Sequence, residues 1–288
     1  VTADSERRVF LVMLLTGGFM VVEAVGGLMA GSLALIADAG HMLTDTVALG
    51  MAWMAFRVGR RPSDARRSFG YHRLQVLAAF VNGLLLFAIG LWIVVEAIQR
   101  MIAPRGVDGD TMLWVAAAGL AVNVLGFAIL RHGAHGDLNM RSALLHVLSD
   151  ILGSVGAIVA AVVIMATGWT PVDPILSVVV ALLVLRGAVD VVRQSAHILA
   201  EGAPAGIDPD ELGAALRQTV PEVTDIHHVH VWSLTTERPL ATLHAAVAPG
   251  TDQDAVLAAL LLTLRNRFGI GHATVQIETR GCPERHRE

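Results

Sequence analysis

Long apolar runs separated by short polar breaks dominate the first two thirds of the chain. A helix needs about 20 mostly apolar residues to cross a bilayer. Six runs qualify or nearly do, at 9–30, 33–56, 74–95, 111–130, 142–167 and 174–192. The third and fourth are uncharged throughout. Glu23 interrupts the first, and Asp38, His41 and Asp45 the second. His146 and Asp150 interrupt the fifth, and Arg186 and Asp190 fall toward the end of the sixth.

After residue 201 the texture changes. Residues 208–219 form an amphipathic pattern opened by Asp208 as N-cap and Pro209 at the first helical position. "VTDIHHVHVWSL" (223–234) and "PLATLHAAVAPG" (239–250) read as strands joined by a short turn. Residues 251–268 return to helical period, with Asp252 and Asp254 in the first turn, and 272–279 alternate strictly, as a strand does. The expected architecture is a polytopic α-helical membrane protein. Six transmembrane helices occupy 1–200, and a small cytosolic α+β domain of order α-β-β-α-β occupies 201–288.

Composition supports this division. The chain is 54% hydrophobic and 16% charged, whereas soluble domains run near a quarter charged. A net charge of −4 gives nucleic acid no evident surface. The single cysteine, Cys282, excludes a disulfide framework and any cysteine-rich metal cluster. The opening "VTADSERR" is polar and the apolar run behind it too long for a cleavable leader. The basic loops orient the bundle. Arg57, Arg60, Arg61, Arg66, Arg67 and Arg73 lie between runs two and three, with Arg7, Arg8, Arg131, Arg141 and Arg193 on the same side; only Arg100 and Arg105 lie opposite. The positive-inside rule places both termini in the cytoplasm.

Ionisable groups inside a membrane are costly and mark function by default. His41 and Asp45 are i,i+4 and share a helical face, and His146 and Asp150 repeat the spacing. Facing each other, the two pairs offer two imidazoles and two carboxylates, a closed set that suits tetrahedral Zn²⁺ and offsets its charge. A single pair would read as an ion pair or as hydrogen-bonding glue between helices. Two copies, in the middle members of two oppositely running three-run halves, match the inverted-repeat layout of transporters. Asp38, one turn before His41, is a possible path residue. Glu23 and Asn123 read as structural polar residues, and Arg186 with Asp190 as an ion pair near the cytoplasmic end. His132 and His135 form a solvated loop pair.

"GSLALIADAGHMLTDTVAL", "FGYHRLQVLAA", "LNMRSALLHVLSDILGSVG" and "HHVHVWSL…HAAV…HATVQIE" resemble the cation diffusion facilitator family, its zinc-transporting branch in particular. The resemblance implies a homodimeric antiporter in the lipid bilayer, and the short loops suggest a bacterial inner membrane. It would move Zn²⁺, and also Cd²⁺ or Co²⁺, out of the cytosol against H⁺. It also implies that the soluble domain is ferredoxin-like and binds regulatory Zn²⁺, with no organic cofactor. Carried over by position, the transport site is His41, Asp45, His146 and Asp150, and the cytosolic ligands are His227, His244, His272 and Glu278. Strand alternation puts His272 and Glu278 on one polar face, but separates His227 from His228 and His230. Which histidine of "HHVH" meets a metal stays open on the residues alone. The loop between runs two and three keeps only Asp64 and His72 as ligand types.

Rival readings are a transporter of Ni²⁺, Fe²⁺ or Mn²⁺, and a membrane metal sensor that transports nothing. A metalloenzyme is disfavoured: HExxH is absent, and four protein ligands leave no open coordination position.

Overall fold

In the computed structural model, residues 3–58, 67–131, 138–279 and 282 are described. Inside the helices, the side chains of 3–13, 44–45, 48–49, 51–58, 130–131, 138–147 and 149 lie outside that description. The element order is α1 (Ala3–Ala30), α2 (Leu33–Val58), α3 (His72–Ile102), α4 (Gly109–Arg131), α5 (Leu138–Thr167), α6 (Val172–Leu199), α7 (Pro209–Thr219), β1 (Val223–Thr235), β2 (Arg238–Val247), α8 (Gln253–Phe268) and β3 (His272–Glu278). The chain divides into two compact units, one of residues 1–57 and 78–192, the other of 58–77 and 193–288.

The first unit is all helix. Among the described residues, four helical stretches are long and apolar enough to cross a membrane: His72–Ile102, Gly109–Ile129, Asp150–Thr167 and Val172–Leu199. Leu14–Ala30 and Leu33–Leu43 are shorter apolar helices. The helices outrun their apolar cores because polar end residues such as His72 and Gln99 continue the turn. Small side chains set the contacts. Ala37 of α2, Ile93 of α3 and Ala181 of α6 form one buried cluster. Ala116 of α4 packs with Ala157, Ala160 and Ala161 of α5 in another. Gly90 lets α3 approach α6, since a Cβ there would lie 2.9 Å from Leu185. The outward faces are apolar as well: Leu28, Met29, Trp114, Leu152 and Leu183 are all exposed. Water would penalise that surface and hydrocarbon accommodates it.

Polar groups in this unit sit where they close a helix end. Asp173, fully buried at the start of α6, accepts from Ser32 Oγ at 2.5 Å, from the Leu33 amide at 2.9 Å and from the Ala34 amide at 3.2 Å. It therefore caps α2 from another helix, supplying negative charge to amides that the first turn leaves unpaired. Glu96 pairs with Arg100 at 3.0 Å and Arg105 at 2.9 Å, and Arg100 also donates to the Gly31 carbonyl at the end of α1. Asn123 of α4 donates to Ser154 of α5 at 3.3 Å, the helix-packing role its residue type implied. Arg186 and Asp190 are exposed and make no ion pair with each other, contrary to the spacing argument.

The second unit carries the α-β-β-α-β order read from the sequence. Its three-stranded sheet has the order β1-β2-β3, with β1 and β2 antiparallel and β2 and β3 parallel. Leu212 and Leu216 of α7 and Leu260 and Leu264 of α8 bury against Val231, Leu243 and Ala245. Asp208 caps α7 through the amides of Asp210 and Glu211, and Asp252 caps α8 through those of Asp254 and Ala255. Gly269, at φ 69°, ends α8 in the left-handed conformation that favours glycine. Strand β2 stops at Val247 rather than 250, because Pro249 has no amide to give the ladder.

Candidate metal centres

The first centre lies between α2 and α5. His41 Nε2 is 3.7 Å from Asp150 Oδ1, and Asp150 is buried. Tetrahedral coordination with bonds of about 2.05 Å has an edge of roughly 3.4 Å, so one imidazole and one carboxylate from the two HxxxD segments already stand near ligand spacing. Asp45 lies on α2 and His146 on α5, and the side chains of both are outside the described residues, as are Asp64, His132 and His135.

Asp38 is buried on the same side. Gly153 of α5 makes room for it: a Cβ there would meet Asp38 Oδ1 at 3.3 Å. Asp38 is also the partner of Glu23. Glu23 of α1, only 1% exposed, hydrogen-bonds to Asp38 and has Asp150 as a further neighbour. Its Oε2 has no hydrogen bond among the described residues. Three buried carboxyl groups from three helices thus gather beside His41. Spacing along one helix could not reveal Glu23, since its partners come from α2 and α5.

The second centre lies on the sheet. Three of the four expected ligands converge there. Glu278 Oε1 is 2.9 Å from His244 Nδ1, and Glu278 Oε2 is 3.3 Å from His227 Nε2. His227 Nδ1 is held by Asp225 at 3.1 Å, and Asp225 pairs in turn with Arg217 at 3.5 Å. A carboxylate on one ring nitrogen fixes the orientation of the other. The fourth residue, His272, does not join. It opens β3 opposite Leu240, at the far end from Glu278, and its ring lies edge-on to Phe69 at 5.8 Å. His72, the other ligand type considered, faces Arg238 at 2.9 Å, a cation rather than a metal partner.

Two residues join that sequence alternation did not bring in. His227 pairs with His244, but the next pairing is His230 with Thr242, so β1 holds one extra residue at this point. His228 occupies the bulge with φ 48°, a conformation uncommon for a residue with a Cβ. The bulge re-aims its side chain. The rings of His227, His228 and His244 lie with centroids 4.9 to 5.5 Å apart, while His230 is exposed. Cys282 completes the group, with Sγ 3.6 Å from His244 Nδ1 and 3.9 Å from His228 Nδ1. Burial works to raise the pKa of Glu278. Hydrogen bonds from Gln276 and Cys282, with His227 and His244 alongside, outweigh it and hold the carboxyl below its ordinary value.

Comparison with known proteins decides the family. The model of the cation efflux transmembrane domain matches residues 9–200, and that of the cation efflux protein cytoplasmic domain matches residues 204–280. The chain belongs to the cation efflux family. Relatives of the family align with nearly all of it. The zinc transporter ZitB of Escherichia coli (strain K12) is 50% identical over 280 residues, covering 97% of this chain and 89% of that protein. The metal cation efflux system protein CzcD of Cupriavidus metallidurans is 40% identical over 284 residues, covering 97% and 89%. A cadmium, cobalt and zinc/H(+)-K(+) antiporter of Bacillus velezensis is 40% identical over 281 residues, covering 96% and 89%. The solved metal-bound C-terminal domain of CzcD is 30% identical, covers 25% of this chain and 99% of that one, and superposes with a TM-score of 0.24. Cation efflux proteins are transporters rather than enzymes.

Proposed function

We propose that this chain exports Zn²⁺, and chemically similar Cd²⁺ or Co²⁺, from the cytosol in exchange for protons. The observation that carries the reading is the approach of His41 to Asp150 at 3.7 Å, between the two HxxxD segments of α2 and α5. His41, Asp45, His146 and Asp150 form the transport site, and α1–α6 all span the membrane. The names of the relatives from Escherichia coli and Bacillus velezensis support the choice of zinc and the coupling to protons.

The chemistry follows from the ligand set. Two imidazoles and two carboxylates hold a divalent cation with its charge offset, and the same atoms take up protons when it leaves. Histidine titrates near neutrality, which lets proton and metal compete at physiological pH. Without a thiolate the site binds firmly enough to select and weakly enough to release. Asp38 and Glu23, buried next to each other, line the path beside it. Alternating access then comes from rocking of the two three-helix halves around the site.

The second unit is the ferredoxin-like cytosolic domain through which two chains pair, in keeping with its match to the family's cytoplasmic domain. His227, His244 and Glu278 give it a metal response. The assembly lies in the bacterial inner membrane with both termini cytoplasmic. Reconstituted in liposomes, the protein should move Zn²⁺ against a pH gradient, and Asp150→Ala should stop it. Flux that survives the substitution would overturn the four-ligand site; zinc bound without flux would make the chain a sensor.

A further inference from the structure

We propose that the cleft lined by Phe69, His72, Arg238 and His272 binds an oxyanion of the phosphate monoester class, with Arg238 as its charged donor and the two imidazoles beside it. The cleft lies wholly within the second unit.

Arg238 opens β2, and the ladder fixes its backbone opposite Thr235. Its Nη1 stands 2.9 Å from His72 Nε2. A guanidinium only donates, so this imidazole accepts and carries its proton on Nδ1. The contact orients Arg238 without neutralising it. Arg73 and Arg217 of the same unit each meet a carboxylate, Glu201 and Asp225. Arg238 makes no ion pair among the described residues, and Glu237, which lines the same cleft, makes none either.

The cleft has a volume of about 450 Å³, in the range of small-molecule pockets. Gly269 and Gly271 form part of its wall, and a Cβ at either would meet nothing within 4 Å, so a ligand can come close to the backbone there. His272 follows directly and pairs with Leu240, two residues beyond Arg238. Phe69 stands edge-on to the His272 ring at 5.8 Å and keeps it at the cleft.

Charge decides what such a cleft takes. A metal ion is repelled by the guanidinium and finds His72 Nε2 already in use. An oxyanion meets the remaining N–H fork of Arg238, the bidentate match that makes arginine the preferred phosphate partner. The imidazoles can each offer an N–H as well. A soluble phosphate ester and the headgroup of phosphatidic acid share this chemistry, and His72 is the first residue of the apolar helix α3. Neither metal centre uses Arg238, and the proposal does not rest on transport.

Calorimetric titration of the full-length protein in detergent, at constant ionic strength, tests it with inorganic phosphate and glycerol 3-phosphate. Both should bind wild type, the ester more tightly. Arg238→Ala should weaken the ester at least about ten-fold, as loss of a charge-assisted hydrogen bond does. Arg238→Lys keeps the charge without the fork and should fall between. His272→Ala should weaken it by a smaller factor. Arg265→Ala removes an exposed arginine of α8 that does not line the cleft and should change nothing. Absence of binding in wild type, or equal weakening by Arg238→Ala and Arg265→Ala, overturns the site. Repeated in phosphatidylcholine nanodiscs, the titration separates the two sources. Loss of glycerol 3-phosphate binding when phosphatidic acid is added identifies the lipid headgroup as occupant, and binding that persists identifies a soluble ester; either result upholds the phosphate site.

Discussion

Among the apolar helices, three buried carboxyl groups, those of Glu23, Asp38 and Asp150, gather beside the half-buried imidazole of His41. On the sheet of the second unit, three imidazoles and a thiol gather beside one buried carboxylate. The two centres draw on the same short list of residues in opposite proportion. Oxygen donors bind a zinc-class cation less firmly than thiolate and imidazole do, and a cargo site has to let go. Among the described residues the first centre is therefore the richer in carboxyl oxygens and the second in imidazole nitrogens. Backbone geometry differs in the same sense. The first cluster projects from regular helices, whereas the second needs a bulged strand with His228 at φ 48°.

The sharpest way to break the comparison is Asp150→Ala. Zinc flux in proteoliposomes should fall at least about a hundred-fold, toward the protein-free background, while cobalt binding at the second centre stays. Loss of both together would mean that the centres are not independent. His244→Ala is the converse. It should cost the second centre about 10- to 100-fold in cobalt affinity by absorption titration and leave flux at saturating zinc within about two-fold. Glu23→Gln keeps the shape and removes the charge. Flux should drop on the order of ten-fold with cobalt binding at the sheet unaltered, and unchanged flux would take Glu23 out of transport.

Two smaller effects sharpen the second centre. His228→Gly relieves a left-handed residue, so thermal unfolding of the metal-free protein should show a gain of up to about 1 kcal/mol. A loss of stability would mean that no strain is stored at the bulge. Glu278→Gln addresses pH. The Glu278 carboxyl is held below its ordinary value of 4.5, so its contribution is complete above that value and is lost as pH falls through the lower value of the folded state. The variant should be less stable at neutral pH, and the gap should narrow below about pH 4.5. Hydrogen exchange of the β3 amides measures it.

Local rules made much of this legible. Asp208 with Pro209, and Asp252, announced their helices because caps depend on neighbours in sequence. The HxxxD spacing pointed to His41 and Asp150, which do approach each other, because a helix repeats without interruption. What failed was the assumption that a strand does the same. Alternation separates His227 from His228, and one extra residue undoes it. The break had a faint signal in two adjacent histidines, which strict alternation cannot put on one face. Cys282 was read for what one cysteine excludes, and its contacts with His228 and His244, 54 and 38 residues away, have no local signature. The same holds for Glu23 with Asp38, and for Asp173 with the first turn of α2, 140 residues apart.

That last contact bears on how α2 can move. Its Leu33 end is tied by three hydrogen bonds to a fully buried aspartate of α6. About two helical turns, roughly 12 Å, separate Leu33 from His41. A rod pinned at one end swings most at the other, so a tilt of about 10° would carry His41 about 2 Å along an arc while Leu33 stays in place. Such a displacement is close to the length of a metal–ligand bond. In the proposed rocking Asp173 would be the fulcrum, and Asp173→Asn should lower zinc flux in proteoliposomes without touching a ligand.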